Sequence, residues 1–262
     1  MEFKTIRYSV NGAVATLALN RPERLNALNT DVHAEIRDAL SAVENNAAIR
    51  CLVITGEGRA FCSGQDLTAR VMNENTQIDT GATLDRDYNP LVRRLVNFPI
   101  PTIAAVNGPA VGAGANLALA CDILLFARSA YLQEAFARIA LVPDAGGTWL
   151  LPRTVGLKRA IAMCLTAEQV SAEECQRIGI AYKVFDDATF TVDVAKAAAL
   201  VAMGPTLAYR LMKQALNASF SNDLNAQLDL ERDLQRQAGL SQDFREGVKS
   251  FLEKRFPRFE GK

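Results

Sequence analysis

Val106-Asn107-Gly108-Pro109-Ala110-Val111-Gly112-Ala113-Gly114-Ala115-Asn116 is the stretch on which the reading of this chain turns. It follows an apolar, strand-like run, Pro101 to Val106, and precedes a run of small residues, Asn116 to Cys121, able to open a helix. A glycine-rich turn that feeds a helix leaves several backbone N–H groups without helical partners, at the positive end of the helix dipole. Such a turn suits negative charge, whether phosphate, carboxylate or a transient oxyanion. A phosphate-cradling P-loop would end in Gly-Lys-Ser/Thr, whereas Gly114 is followed by Ala115 and Asn116. A dinucleotide fingerprint would need a third glycine that does not follow Gly112 and Gly114 at the right spacing. Two readings remain: an oxyanion site, or a close-packed helix start where Gly112 and Gly114 let two backbones touch.

Working outward, a second turn of the same kind precedes the first. Cys51 to Thr55 is a short continuous apolar run of the type covered on both faces of a sheet. It leads into Gly56-Glu57-Gly58-Arg59-Ala60-Phe61-Cys62-Ser63-Gly64-Gln65-Asp66-Leu67, where glycines again permit close approach. Upstream, Phe3 to Val10 and Ala13 to Leu19 read as strands joined at Asn11-Gly12, a strong hairpin signal. A helix capped by Asn29 or Thr30 runs to about Glu44. Residues 73–89 read as a polar, irregular, mobile segment, followed by a helix from Pro90 to Val96. Asp122 to Ala127 is a further strand. Strand, glycine loop and helix recurring in this way predict an α/β (α+β) architecture with ligands at the loops. From Lys158 onward the pattern turns helical: Thr166 to Gly179, Val192 to Met203, Thr206 to Ala218, Asp223 to Gln237 and Ser241 to Phe256. Phe244, Val248, Phe251 and Leu252 recur at helical spacing and are assigned to packing, in the core or between subunits.

The bulk properties narrow the function. Lys plus Arg number 29 and Asp plus Glu number 29, so the net charge is zero and neither nucleic acid nor an anionic membrane is an expected partner. No apolar run reaches the roughly 18 residues of a membrane span, and Met1 to Thr5 lacks a signal-peptide core, which reads as a cytoplasmic protein. The scattered, odd set of 5 cysteines suits free buried thiols. With His33 the single histidine, no metal site or histidine-based triad is expected, and His33 itself, in a helix-like pattern with Ile36, Leu40 and Val43, reads as an ordinary helix-face residue.

The two loops, at 60–67 and 106–116, together with Leu19-Asn20-Arg21-Pro22, Asn26-Ala27-Leu28 and Pro143-Asp144-Ala145-Gly146-Gly147-Thr148, resemble the crotonase (enoyl-CoA hydratase/isomerase) family over nearly the whole length. The resemblance implies a ββα spiral core over residues 1–200 and a C-terminal helical trimerisation region over 201–262. It also implies an acyl-CoA thioester as substrate, with coenzyme A belonging to that substrate and no separate cofactor. The family's two oxyanion donors, backbone N–H groups, fall on Gln65 and Ala113. The region that usually holds coenzyme A corresponds to Arg24, Leu25, Ser63, Gly64 and Asp66, with Gly112, Asn116 and Phe136 also at substrate-facing positions. The resemblance further implies a homo-oligomer, a trimer or a dimer of trimers, with the helices from Thr206 to Phe256 at the interface.

The expected base departs from the family's hydratases. Where those carry two glutamates, this chain has Asn116 and Phe136, neither able to accept a proton. Asp144 stands where the family's double-bond isomerases carry their acid/base residue. An aspartate with a pKa of about 3.9 is a weak base at neutral pH, so its role requires burial, for which Phe136, Ile139, Leu141 and Trp149 are the sequence neighbours. The other reading of Asp144 is a cap on the Gly146-Gly147 turn. Glu134 is a further candidate if it shares a strand face with Phe136. The acyl pocket is expected to involve Ile139, Val142, Trp149 and the 70–95 segment. The run from Asp144 to Trp149 and the tail from Leu228 to Gly247 look most like the phenylacetate-degradation branch. Its members rearrange a ring epoxide of phenylacetyl-CoA to an oxepin and also shift double bonds. Hydration, aromatic thioester dehalogenation with Asp144 as nucleophile, and a silent acyl-CoA- or RNA-binding role are the competing readings.

Overall fold

The computed structural model describes residues 3–68 and 79–262. Strands β1 (Ile6–Asn11) and β2 (Val14–Leu19) form an antiparallel hairpin in which Asn11 faces Val14. Gly12 and Ala13 therefore make the turn, one residue later than the sequence signal, and Gly12 takes the left-handed φ of 57° that a tight turn needs. Helix α1 (Thr30–Glu44) starts at Asn29, whose side chain accepts from the Val32 N–H at 2.9 Å. Its buried stripe is Val32, His33, Ile36, Ala39, Leu40 and Val43, recurring every three or four residues. His33, expected on a helix face with Ile36, Leu40 and Val43, lies in this stripe and is only 2% exposed.

Strand β3 (Cys51–Gly56) is paired in parallel on both edges, with β2 and with β4 (Thr102–Val106). Two covered edges and two covered faces explain its unbroken apolar run. Between them, helix α2 (Thr80–Thr83) passes through a π-turn at Leu84–Tyr88 into α3 (Asn89–Val96). This corrects the expectation of irregular chain there: Asp87 and Tyr88 turn inward, and the Tyr88 ring meets His33 edge-on at 4.4 Å. The remainder of that expected mobile segment, 73–78, lies outside the described residues.

The second half adds β5 (Ala110–Val111), α4 (Ala113–Leu119), β6 (Ile123–Ala127), β7 (Tyr131–Gln133), α5 (Gly147–Val155) and α6 (Leu157–Thr166). They are followed by β8 (Val170–Ser171), α7 (Ala172–Arg177), β9 (Lys183–Phe185) and α8 (Phe190–Ala202). The main sheet runs β1-β2-β3-β4-β6-β9, parallel beyond the hairpin, and β5, β7 and β8 form a small second sheet. A single helix over Thr166 to Gly179 does not form. Ala167 takes a left-handed φ of 49°, and its carbonyl accepts from Gln133 Nε2 at 2.7 Å and Arg138 at 2.9 Å, which pins the break. Glu134 likewise does not share a strand with Phe136, because β7 ends at Gln133 and Ala135–Ile139 is a 3-10 turn.

The chain closes with α9 (Thr206–Ala218), α10 (Leu224–Gly239) and α11 (Gln242–Leu252). Lys213 ties α9 to the sheet through Asp122 at 2.7 Å and the Phe98 carbonyl at 2.9 Å. Phe244, Val248, Phe251 and Leu252 are exposed by 46 to 82%, so their stripe is not part of this chain's own core. Among the described residues no single helix is long and apolar enough to cross a membrane.

Candidate active site

The two glycine turns are stitched together by main-chain bonds. Val111 N–H donates to the Cys62 carbonyl at 2.9 Å, and Cys62 N–H donates to the Pro109 carbonyl at 3.1 Å. The approach is too close for side chains. A β-carbon on Gly64 would stand 2.9 Å from Val111 O and 3.4 Å from Ala113 N, and one on Gly114 would stand 2.7 Å from Cys62 Cβ. Gly64 and Gly112 also hold φ values of 92° and 54°, where L side chains are strained. Close packing and an oxyanion site are thus compatible readings: the glycines let the backbones of the two turns touch.

Which amides border this contact follows from the ladder around them. The first bond of the α4 ladder runs from Asn116 N–H to Gly112 O at 3.1 Å, so the N–H of Ala113 lies ahead of it, at the positive helix end. In the other turn Leu28 donates to Gly64 O at 2.8 Å and accepts from Asp66 N–H at 2.9 Å. Alternation along an extended segment then directs the Gln65 N–H to the side away from Leu28. Phe136, 6% exposed, supports the second turn from beneath, its ring 3.7 Å from where a Gly112 side chain would begin.

The loop expected to hold coenzyme A packs beside these turns. Ser63 N–H donates to Leu25 O at 2.9 Å and Ser63 Oγ contacts Arg24 O at 3.3 Å, with the Arg24 side chain exposed at the rim. Asn26, which the sequence reading passed over as part of a motif, clamps the strand end by donating to Ala60 O at 2.7 Å and Glu57 O at 2.9 Å. Asp66, in the same loop, is held by its neighbours. Its carboxylate is committed to Thr68 Oγ1 at 2.6 Å and Arg21 at 2.7 Å, and the Thr68 and Arg21 hydrogen bonds hold it below the usual carboxylate range. Its side chain shapes the loop.

Three polar residues meet one helical turn beyond Ala113. Asn116 is fully buried, and its Nδ2 donates to the Asp144 carbonyl at 2.9 Å and contacts Glu134 Oε2 at 3.5 Å. The Asp144 carbonyl also accepts from Gly147 N–H at 2.9 Å, while α5 has Gly146 as its N-cap and no side-chain cap. The turn is therefore closed by main chain, and the capping role does not fall to the Asp144 carboxylate. Asp144 is half-buried, with Oδ1 shielded from solvent. The apolar neighbours expected to bury it do so only in part: Phe136 is inside, but Ile139, Leu141 and Trp149 are 40 to 50% exposed. Val142, also expected at the acyl pocket, is 74% exposed.

Residues 9–262 match the model of the enoyl-CoA hydratase/isomerase family. The chain belongs to that family. Among its curated relatives, the 1,2-epoxyphenylacetyl-CoA isomerase of Escherichia coli K12 is 50% identical over 100% of both chains. The 2,3-dehydroadipyl-CoA hydratase of the same organism is 38% identical over 95% of this chain and 96% of its own. Among solved structures, an enoyl-CoA hydratase from Bacillus anthracis superposes with a TM-score of 0.89 at 31% identity, covering 99% of this chain and 100% of the other. Family membership makes the protein an enzyme of acyl-CoA chemistry and accounts for the fold; isomerases and hydratases both stand among its relatives.

Glu134, a further candidate in the sequence, lies beside Asn116. It is 1% exposed, and burial, then the nearby Asp144 charge, pushes its carboxyl up to about 7 against the opposing Asn116 hydrogen bond. The usable signal was the residue itself, a lone carboxylate within Tyr131-Leu132-Gln133-Glu134-Ala135-Phe136. The thiols of Cys51, Cys62, Cys121 and Cys175 are pushed up to about 12 by burial, which keeps them protonated and unreactive.

Proposed function

We propose that this enzyme is an acyl-CoA isomerase in which Asp144 moves a proton and the backbone N–H groups of Gln65 and Ala113 hold the thioester oxygen. The observation that carries the reading is the tether from Asn116 to Asp144: Asn116 Nδ2 donates to the Asp144 main-chain carbonyl at 2.9 Å, which seats this residue against α4, the helix that begins at Ala113. Asp144 takes a proton from the acyl chain, the C–H electron pair moves onto the thioester oxygen, and the proton returns at a different carbon. Each oxyanion donor is worth about 2.7–4 kcal/mol, and a positioned base about 10²–10⁴ in rate, so the backbone supplies the larger share. No cofactor beyond the coenzyme A of the substrate enters this scheme.

For the substrate, we take the 50% identity to the E. coli epoxide isomerase and the carbon skeleton it names as the guide. The reaction is rearrangement of 2-(1,2-epoxy-1,2-dihydrophenyl)acetyl-CoA to oxepin-CoA, together with shift of 3-enoyl-CoA double bonds to the 2-position. Asn116 and Phe136 in place of the hydratases' glutamates disfavour water addition, because neither can activate a water molecule. The uncovered apolar face of α11 supports a homotrimer or a dimer of trimers. The test is turnover of both thioesters by the native enzyme and by Asp144→Asn. Loss of both activities in the variant supports the assignment, and equal rates from the two proteins reject it.

A further inference from the structure

One guanidinium grips both sides of the first glycine turn. Arg21 Nη1 donates to the Ala27 carbonyl at 2.7 Å and Nη2 donates to Asp66 Oδ2 at 2.7 Å, with the Arg21 and Asp66 side chains 16% and 6% exposed. Between those anchors lies an isolated parallel bridge from Leu28 to Gln65, held by Leu28 N–H on Gly64 O at 2.8 Å and Asp66 N–H on Leu28 O at 2.9 Å. Such a bridge, with no ladder to continue it, can twist, whereas a strand in a sheet is held by its next pairs. Arg21 adds a third point, binding the residue before Leu28 to the residue after Gln65. The loop that carries Arg21 is bent toward the same turn. Leu25 and Asn26 hold left-handed φ values of 49° and 58°, a costly conformation for two successive residues with side chains. Their carbonyls meet the Ser63 N–H at 2.9 Å and the Cys62 thiol at 3.2 Å. Arg21 closes the loop behind them, its N–H on Asn26 Oδ1 at 2.9 Å and its carbonyl accepting from Asn26 N–H at 2.9 Å. Backbone strain of this kind clusters at working sites.

Resting on the thioester reading above, in which the Gln65 N–H is an oxyanion donor, we propose that Arg21 and Asp66 are positioning residues whose buried ion pair sets the direction of the Gln65 amide. They act through the main chain. Gln65 lies between Gly64, whose carbonyl is taken by Leu28, and Asp66, whose N–H and carboxylate are taken by Leu28 and Arg21. An oxyanion donor works by being aimed before the charge develops, and a misplacement of about 1 Å costs about 10²-fold in rate. The fork is what makes arginine necessary: two coplanar N–H groups reach acceptors on two segments, and a lysine ammonium keeps the charge without that span. The part of the loop expected to hold coenzyme A depends on it less. There the bonds run from the Leu25 and Asn26 carbonyls to Ser63 and Cys62, and they survive a change in the Arg21 side chain.

The experiment has two readouts, with thermal unfolding of every variant alongside. In the first, kcat and KM for 3-enoyl-CoA are measured for the native enzyme, Arg21→Lys, Asp66→Asn and the double variant, with Asp144→Asn as control. Each single change lowers kcat by about 10- to 10²-fold, while KM and the affinity for free coenzyme A stay within about twofold. The double variant is no worse than the poorer single one, as two partners in one interaction require. In the second readout, the carbonyl stretch of a bound saturated acyl-CoA, carbon-13 labelled at the thioester carbon, is recorded by difference infrared spectroscopy. Native enzyme lowers its frequency from that of the free thioester, and both variants return it toward the free value, which a loss of stability alone would not do. Asp66→Asn, equal in volume, carries the test where Arg21→Lys does not fold. A folded variant with native kcat or a native carbonyl stretch, or a double variant whose losses multiply, overturns the proposal and leaves the function standing. So does a lowered melting temperature with both readouts unchanged. A carbonyl stretch unshifted in native enzyme, or an active Asp144→Asn, overturns the function itself.

Discussion

Asn116 packs so closely on Gly147 that a β-carbon there would lie 2.6 Å from its Oδ1. Gly147 is therefore the residue that lets helix α4 and the segment carrying Asp144 share one amide. Gly147→Ala displaces Asn116, costs about 1–3 kcal/mol of stability and, by shifting Asp144, lowers kcat by about 10²-fold. Thermal unfolding and steady-state kinetics on the same preparation separate the two effects. A variant with native kcat would mean that the amide tether does not place the carboxylate.

Gly114 makes the corresponding contact between the two turns. In Gly114→Ala the new methyl group meets Cys62 and forces the turns apart. The loss expected is that of one oxyanion donor, about 10²–10³ in kcat, with little change in the affinity for free coenzyme A. Isothermal titration with coenzyme A alongside turnover provides the check.

His33 makes the fold acid-sensitive. Burial in the first place, with the Arg37 and Arg86 charges adding and Asp87 opposing, lowers its pKa from 6.5 to about 4. The unfolded chain thus binds a proton before the folded chain does. Stability from the neutral ring is complete above pH 6.5 and is lost as pH falls toward 4, to the extent of about 3 kcal/mol. Both ring nitrogens are buried without partners, so His33→Phe, which keeps the edge-on contact with Tyr88, should flatten this part of the stability profile and raise the melting temperature. An unchanged acid limb would contradict the assignment.

Glu134 has the opposite sign. Its pKa is raised from 4.5 to about 7, so the folded chain favours the protonated form and stability declines as pH rises through that interval. Above pH 7, Glu134→Gln should be more stable than native by about 3 kcal/mol at most, with the difference gone below pH 4.5. Urea titrations at the two ends of the range test it.

The frame of the fold was legible in the sequence because each part has a local cause. Asn29 caps α1 by its own side chain, the continuous run of β3 reflects pairing on both edges, and the glycines at 64, 112 and 114 mark backbone contacts. What was not legible depends on partners distant in sequence. Tyr88 turns inward because its ring meets His33 across the fold, and the helix expected across Thr166 to Gly179 breaks because Gln133 and Arg138 hold the Ala167 carbonyl. In the candidate site, Gln65, Ala113 and Asp144 come from motif positions, and the structure adds the main-chain bonds between the two turns and the Asn116 bond to the Asp144 carbonyl. Glu134 was placed by an alternation argument for a strand that ends one residue before it, and only its burial beside Asn116 gives it weight.

The uncovered stripe on α11 leads to a further expectation. Phe251 and Leu252 are 82% and 73% exposed in the single chain, and Phe251→Glu should shift the assembly toward monomer in sedimentation velocity. Native protein that sediments as a monomer at micromolar concentration would remove the case for an oligomer.

The central claim is that Asp144 exchanges protons with a thioester held by the two main-chain amides. Its most direct test is exchange of substrate hydrogen for deuterium, followed by proton NMR on a saturated acyl-CoA that can form the enolate but cannot complete isomerisation. Native enzyme should wash the label in, and Asp144→Asn should slow exchange by about 10²–10⁴-fold while binding the thioester with native affinity. Exchange at the native rate in Asp144→Asn would contradict the account.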